Sequence, residues 1–159
     1  MIVGIHHVAI VVPDLDQALA FYRDALGFEV VQEGDWDRSH PQADRVIGLE
    51  QTSARIAMLK APNAYLEIWQ YRHPEPEDRR SRPCDLGYPH FALQVTDIQA
   101  EYDRLGAAGM TFAADAPVNL GSTSAIYGQD PFGNIIELYE IRDPKVAQLA
   151  PQLDQGKQA

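Results

Sequence analysis

The stretch HVAIVVPDLDQALAFYRDALGFEVV, residues 7–31, has a counterpart later in the chain, HFALQVTDIQAEYDRLGAAGMTFA, residues 90–113. Aligning His7 with His90 also pairs Ala9 with Ala92, Val12 with Val95, and Asp14 with Asp97. Each copy is followed by a segment with a central glutamate, YLEIWQY at 65–71 and NIIELYE at 134–140. This self-similarity indicates that one structural unit is duplicated.

The residue pattern within each copy predicts a strand followed by a helix. Alternating apolar residues predict the opening strand. Asp14 is a natural N-cap with Gln17 three residues later, and Gly27 is a natural end of the helix; Asp97 caps the second helix. Further strands are predicted at 28–33, 54–60 and 64–71 in the first copy, and at 110–113, 123–129 and 134–140 in the second. The fold class is therefore α+β, with a β-α-β-β-β unit made twice.

The duplication divides the chain into four segments. They are a first βαβββ module at 1–71, a linker at 72–89, a second βαβββ module at 90–142 and a C-terminal tail at 143–159. The linker is rich in proline and charge. Residues 34–50 have no counterpart in the second module, and we interpret them as an insertion.

Composition excludes several classes of function. The chain has 159 residues and a net charge of −10, which disfavours binding to nucleic acid because phosphate recognition needs clustered cations. The same charge disfavours a basic membrane-surface protein, and no apolar run is long enough to span a membrane. The single cysteine, Cys84, excludes an intramolecular disulfide. We expect a soluble, cytoplasmic protein.

Strand alternation decides which polar side chains share a face. In the first module it places His7 on the face opposite the large aliphatic residues, and it places Glu67 there as well, between Leu66 and Ile68. His90 and Glu137 take the matching positions in the second module. The adjacent His6 is expected to point to the other face. Four strands thus direct one ligand-type residue each into a common hollow.

A carboxylate in mid-strand among apolar neighbours is costly to bury unless it is paired or bound to a metal. A lone histidine or glutamate is usually a structural or surface residue, but the recurrence of both at matched positions favours a metal site. Two imidazoles and two carboxylates without a thiolate suit one divalent ion per site: Ni, Co, Mn, Zn or Fe(II). The predicted metal ligands are His7, Glu67, His90 and Glu137.

These segments, together with DPFGNIIELYE at 130–140, resemble the vicinal oxygen chelate superfamily. That superfamily includes glyoxalase I, methylmalonyl-CoA epimerase, extradiol dioxygenases, fosfomycin-resistance proteins and metal-free bleomycin-binding proteins. The resemblance extends from Ile2 to Ile141. It implies paired βαβββ modules that form a curved, incompletely closed mixed β-barrel around a central metal, with the helices outside. The four ligand positions of the family fall on the four residues named above.

The resemblance also implies a class of reaction. A glutamate at position 67 resembles glyoxalase I, whereas extradiol dioxygenases have no ligand there. We therefore expect a divalent-metal-dependent lyase or isomerase of the glyoxalase I or epimerase type, which transfers a proton next to a metal-bound substrate oxygen. Either Glu67 or Glu137 would be the catalytic base. The alternatives are an Fe(II) ring-cleaving dioxygenase and a metal-free protein that binds or confers resistance to a small molecule.

The expected partner is a small-molecule substrate. Aromatic residues are expected near the pocket, although packing in the core explains them as well: Trp36, Tyr65, Trp69, Tyr127 and Tyr139. The arginines of the linker are candidates for contacting an anionic tail of the substrate, although a solvated loop explains them as well: Arg72, Arg79, Arg80 and Arg82. A homodimer is expected for a two-module chain of this size.

Overall fold

A computed structural model gives the structure of this chain and describes residue 2 and residues 4–80 and 82–149. The first half contains strand β1 (His7–Val11), helix α1 (Leu15–Leu19) with a π-helical continuation (Ala20–Ala25), strand β2 (Glu29–Asp37), helix α2 (Pro41–Ile47), and strands β3 (Ser53–Lys60) and β4 (Tyr65–His73). The second half contains strand β5 (Phe91–Val95), helix α3 (Ile98–Ala107), and strands β6 (Thr111–Phe112), β7 (Val118–Asn119), β8 (Thr123–Gln129) and β9 (Ile135–Ile141). The α+β class is confirmed.

The strands form two separate sheets, one in each half. The first has the order β1-β4-β3-β2, and the second has the order β5-β9-β8-β6, with β7 beside β8. In each sheet the opening strand runs parallel to the closing strand, and the other pairs are antiparallel. Within the described residues no strand of one sheet is hydrogen-bonded to a strand of the other. The hydrogen bonding therefore gives two open sheets, and the curved, incompletely closed barrel around a central metal stays a prediction.

Both predicted helix caps are present. Asp14 accepts a hydrogen bond from the backbone amide of Gln17 at 2.9 Å, and Asp97 accepts one from the amide of Ala100 at 3.1 Å. Each cap satisfies an amide that has no partner within its helix. Gly27 follows the first helix with a φ of 72°, a conformation that glycine adopts without steric cost.

A buried hydrogen bond ties the two halves together. The Tyr22 hydroxyl in the π-helical segment donates to Asp130 Oδ2 at 2.7 Å, and Asp130 also accepts from the backbone amides of Phe132 and Asn134. Burial, and secondarily the charge of Asp130, raises the pKa of Tyr22 well above its ordinary value. The buried apolar residues of both halves form one core, into which Leu66, Ile68, Ile136 and Leu138 project.

The insertion at 34–50 contains the end of one strand and a short helix. Its first residues extend β2, and α2 follows, ending at Gly48 with a left-handed φ of 77°. Asp44 of α2 accepts hydrogen bonds from the backbone amides of Gln51 and Thr52, each at 2.9 Å. These contacts attach α2 to the start of β3.

The remaining segments differ little from the expected layout. β4 continues to His73, two residues into the predicted linker. The start of the predicted tail, 143–149, forms turns, and residues 150–159 lie outside the described residues. The four segment boundaries stay predictions. None of the described helices has the length and apolar character needed to cross a membrane.

Candidate metal site

Parallel pairing of β1 and β4 brings the first predicted pair of ligands together. Ala9 lies opposite Glu67 in the register, so the side chain of His7, two residues earlier on the same face, reaches the carboxylate. His7 Nε2 lies 3.7 Å from Glu67 Oε2, and the side chains of His7 and Glu67 are 38% and 15% exposed. The pair therefore borders an open hollow.

The second module repeats this arrangement. Ala92 of β5 lies opposite Glu137 of β9, and His90 immediately precedes β5. His90 Nε2 lies 3.2 Å from Glu137 Oε2, and the Tyr127 ring lies 4.7 Å from the His90 ring. Because the registers of the two modules match, each closing strand presents its glutamate to the histidine of its neighbour.

The two pairs do not meet within one chain. Among the described residues, no group of three or more His, Cys, Asp or Glu side chains is close enough to hold a metal ion. The chain thus carries two half-sites, His7 with Glu67 and His90 with Glu137. Convergence of all four residues on one ion stays a prediction.

His6 lies beside His7, contrary to the expectation from alternation. Its Nδ1 is 2.9 Å from His7 Nδ1, and its ring stacks on Tyr65 with centroids 4.9 Å apart. His6 precedes β1, so the alternation of a regular strand does not govern its direction. The ring of His6 is therefore part of the surroundings of the first half-site.

Glu67 has a second polar partner that strand alternation alone did not predict. Trp69 Nε1 donates a hydrogen bond to Glu67 Oε2 at 2.6 Å. Residues two positions apart on a strand share a face, which explains why this indole reaches the carboxylate. The contact holds Glu67 in one orientation beside His7.

Three half-buried aromatic rings continue from this contact and form what we call the aromatic shelf: Trp36, Trp69 and Tyr71. The Trp36 and Trp69 rings meet edge to face at 5.7 Å, and Tyr71 stacks on Trp69 at 5.3 Å. Burial, and secondarily the charge of Glu67, raises the pKa of Tyr71. Strand alternation from Glu67 would have identified Tyr71, but only the fold brings Trp36 of the insertion against Trp69.

The donors fit a divalent cation chemically. Each half-site has one imidazole and one carboxylate, the N/O set that first-row divalent metals accept. His90 Nδ1 is buried without a hydrogen-bond partner in the described chain, which is uncommon for a polar atom. The second half-site therefore contains a ring nitrogen for which the described residues provide no hydrogen-bond partner.

The candidate arginines are engaged in other contacts. Arg72 lies in β4, on the face opposite Glu67, where it pairs with Asp35 and donates to Ser53 Oγ at 3.0 Å. Arg79 pairs with Glu77 at 2.6 Å, Arg80 pairs with Asp78, and Arg82 pairs with Asp85 at 2.7 Å. None of these four, as described, is a free cation directed at a half-site.

Clefts lie elsewhere on the surface. One of about 670 Å³ separates the helix that contains Phe21 from the end of α3 near Arg104, and one of about 460 Å³ lies beside Asp78 and Gly133. Neither is lined by a predicted ligand. The half-sites are instead open faces of the two sheets.

Comparison with curated proteins finds relatives that are named as enzymes. The chain is 32% identical over 146 residues to a 2-epi-5-epi-valiolone epimerase from an Actinomyces species, covering 87% of this chain and 80% of that protein. It is 29% identical over 151 residues to an ethylmalonyl-CoA/methylmalonyl-CoA epimerase from Cereibacter sphaeroides, covering 89% of this chain and 100% of that protein.

Solved structures and family models agree with these relatives. A glyoxalase family protein from Bacillus cereus superposes with a TM-score of 0.78 at 25% identity, covering 89% of this chain and 95% of that one. The model of the Glyoxalase/Bleomycin resistance protein/Dioxygenase superfamily matches residues 4–138. That match takes in both half-sites and the DPFGN turn, and the chain belongs to this superfamily.

Proposed function

We propose that this protein is a divalent-metal-dependent isomerase or lyase that moves a proton at the carbon beside a substrate carbonyl. The observation that carries the proposal is the repeated half-site. A histidine and a glutamate occur at matched register positions of both modules, on the face turned away from the core. The epimerase names of two relatives support the same class of reaction.

His7, Glu67, His90 and Glu137 would hold the cation. A bound Ni, Co, Mn, Zn or Fe(II) ion would act as a Lewis acid and polarise the carbonyl. Polarisation acidifies the neighbouring C–H, so a carboxylate beside it is a competent base.

The two carboxylates are the candidates for proton transfer. In an epimerase, one of Glu67 and Glu137 would remove the proton from one face of the carbon and the other would deliver a proton to the opposite face. In a glyoxalase-type reaction, one of them would remove the proton and return it to the adjacent carbon. Their surroundings differ, because Trp69 holds one oxygen of Glu67 whereas Glu137 lies beside His90 and Tyr127.

A second copy of the chain would complete each site. β1 and β5 are edge strands, and each carries its half-site on an open face; Val11, on the face of His7, is 47% exposed. A two-fold axis that places the first module of one chain against the second module of its partner joins unlike half-sites and generates two equivalent sites. The incompletely closed barrel predicted for one chain would then form between two chains.

Glu67 favours this class over the ring-cleaving dioxygenase, in which the corresponding position is not a ligand. Its carboxylate faces His7 across 3.7 Å, as a second ligand of the same ion requires. Oxygen uptake with catechols separates the two enzymes. A metal-free binding protein would keep its ligand affinity after chelation.

Elemental analysis combined with proton exchange tests the proposal. We expect about one divalent ion per chain in the purified protein. His7→Ala and Glu137→Ala should lose it, while Glu140→Ala, on the opposite face of the same strand as Glu137, should keep it. Deuterium from D2O should enter the carbon beside the carbonyl of an accepted substrate. A folded wild-type protein without metal, or metal unaffected by both ligand variants, would refute the proposal.

A further inference from the structure

The aromatic shelf begins at the candidate base and extends away from it along the sheet. Trp69 contacts Glu67 through its indole N–H and stacks on Tyr71 with an interplanar angle of 8°. Trp36 is anchored at the other side by a 3.0 Å hydrogen bond from Nε1 to Thr52 Oγ1. The register places Trp36 and Tyr71 in one cross-strand row through Ala54, on the face that carries Glu67. A molecule whose reacting carbon lies at Glu67 would therefore have these rings next to it.

The arginine side chains near the shelf are directed away from this face, and Lys60, which shares the face of Glu67, lies opposite Tyr65 on the far side of Glu67 from the shelf. Arg55 pairs with Asp16 of α1 at 2.8 Å, and Arg72 pairs with Asp35, both on the opposite side of the sheet. Eight described arginines form ion pairs with carboxylates: Arg23, Arg55, Arg72, Arg79, Arg80, Arg82, Arg104 and Arg142. An arginine with a carboxylate beside it has little net attraction for an incoming anion, and the net charge of −10 opposes anions further.

Two described arginines, Arg38 and Arg45, have no ion pair in the structure, and both are exposed. Arg38 follows β2 and Arg45 lies on α2, beyond the aromatic shelf. Among the described arginines, these two are the ones that an anionic ligand beside the shelf could use. Arg45 therefore provides a matched test of charge recognition.

From these observations we propose that the aromatic shelf binds the non-reacting part of the substrate, and that this part is an uncharged ring or compact carbon skeleton. Aromatic side chains bind such groups through their apolar faces. The preferred substrate is then a neutral carbonyl compound with an acidic neighbouring C–H, and not an acyl-CoA or a glutathione adduct. This inference rests on the proposed function for the position of the reacting carbon.

Three probes test the substrate class: a neutral polyhydroxylated cyclohexanone, methylmalonyl-CoA, and the hemithioacetal of methylglyoxal and glutathione. Binding is measured by isothermal titration calorimetry on the metal-loaded protein, and turnover is measured by deuterium incorporation. We expect the neutral ring to bind at least about tenfold more tightly than either anion. Its affinity should be unchanged between low and high salt, because screening acts only on charged partners.

Variants of the aromatic shelf locate the binding. Tyr71→Leu should weaken binding of the neutral ring by about fivefold to tenfold, which corresponds to the contribution of one aromatic contact. Tyr71→Phe and Arg45→Ala should both bind the neutral ring with the affinity of the wild-type protein. Metal content should be the same in all of these proteins.

The outcomes separate this inference from the proposed function. Shelf-dependent binding of the neutral ring without deuterium exchange would support the inference and count against the proposed reaction. Exchange on methylmalonyl-CoA or the glutathione adduct, with tighter binding of that anion, would overturn the inference and leave the proposed reaction standing. Absence of neutral-ring binding, or equal binding by Tyr71→Leu, would also overturn it.

Discussion

Trp69 is the residue that links the candidate base to the aromatic shelf. Its indole N–H occupies Glu67 Oε2, the same oxygen that faces His7, while its ring stacks on Tyr71. A hydrogen bond to a carboxylate is stronger than one between neutral groups and restricts rotation of the side chain. Trp69 is therefore a positioning residue for Glu67.

Trp69→Phe should separate these two roles, because phenylalanine keeps a ring but has no N–H. We expect kcat to fall by about tenfold, the equivalent of one charge-assisted hydrogen bond, with KM changed less than about twofold. Metal content should stay at the wild-type level. Tyr102→Phe is the control, since Tyr102 lies outside the shelf and loses only an exposed bond to the Ala114 carbonyl. Equal kcat values for wild type and Trp69→Phe would show that the contact has no positioning role.

At the scale of elements, the attachment of α2 to the start of β3 depends on the carboxylate of Asp44. The pKa of Asp44 lies below its ordinary value of 3.8, mainly because the Thr52 hydroxyl donates a hydrogen bond to the carboxylate. The backbone amides of Thr52 and Gln51 lower this pKa further. A carboxyl whose pKa is lower in the folded state contributes stability above its unfolded pKa and loses it as the pH falls through the folded pKa. The attachment of α2 should therefore weaken only below about pH 4.

Asp44→Asn should loosen α2 at neutral pH. The amide side chain keeps one acceptor oxygen but loses the charge, so the contacts to Gln51 and Thr52 weaken. Hydrogen exchange measured by mass spectrometry should show faster exchange at 41–47, by about tenfold, with exchange in β3 and β4 unchanged. Asp115→Asn, outside the regular elements, provides the control. Unchanged protection of 41–47 in Asp44→Asn would show that α2 is held by other contacts.

At the scale of the whole molecule, the Tyr22–Asp130 hydrogen bond joins the modules. Tyr22→Phe removes a buried donor from a carboxylate that keeps its backbone partners Phe132 and Asn134. The free energy of unfolding should fall by about 1.5–3 kcal/mol in urea denaturation. Tyr102→Phe loses only an exposed bond to the Ala114 carbonyl and should change stability by less than about 0.5 kcal/mol. Equal losses in the two variants would contradict this assignment.

Complementation tests whether each site lies between two chains. A chain with His7→Ala and Glu67→Ala is coexpressed with a chain carrying His90→Ala and Glu137→Ala. In a mixed dimer one site receives all four substitutions and the other receives none, so about one quarter of the wild-type metal content should return after random pairing. Sites formed within one chain would leave every site defective. Complete absence of metal from the separated mixed dimer would therefore contradict the shared site.

The sequence alone determined the features that depend on local periodicity. Duplication, the caps at Asp14 and Asp97 and the faces of Glu67 and Glu137 follow from spacing along the chain, because strand alternation and helix capping involve residues close in sequence. Whether the four candidate ligands meet within one chain was not predictable in this way. Tertiary structure alone decided that the half-sites lie apart in one chain, since that depends on how the two sheets pack. It also decided that the insertion brings Trp36 to Trp69, beside the candidate base.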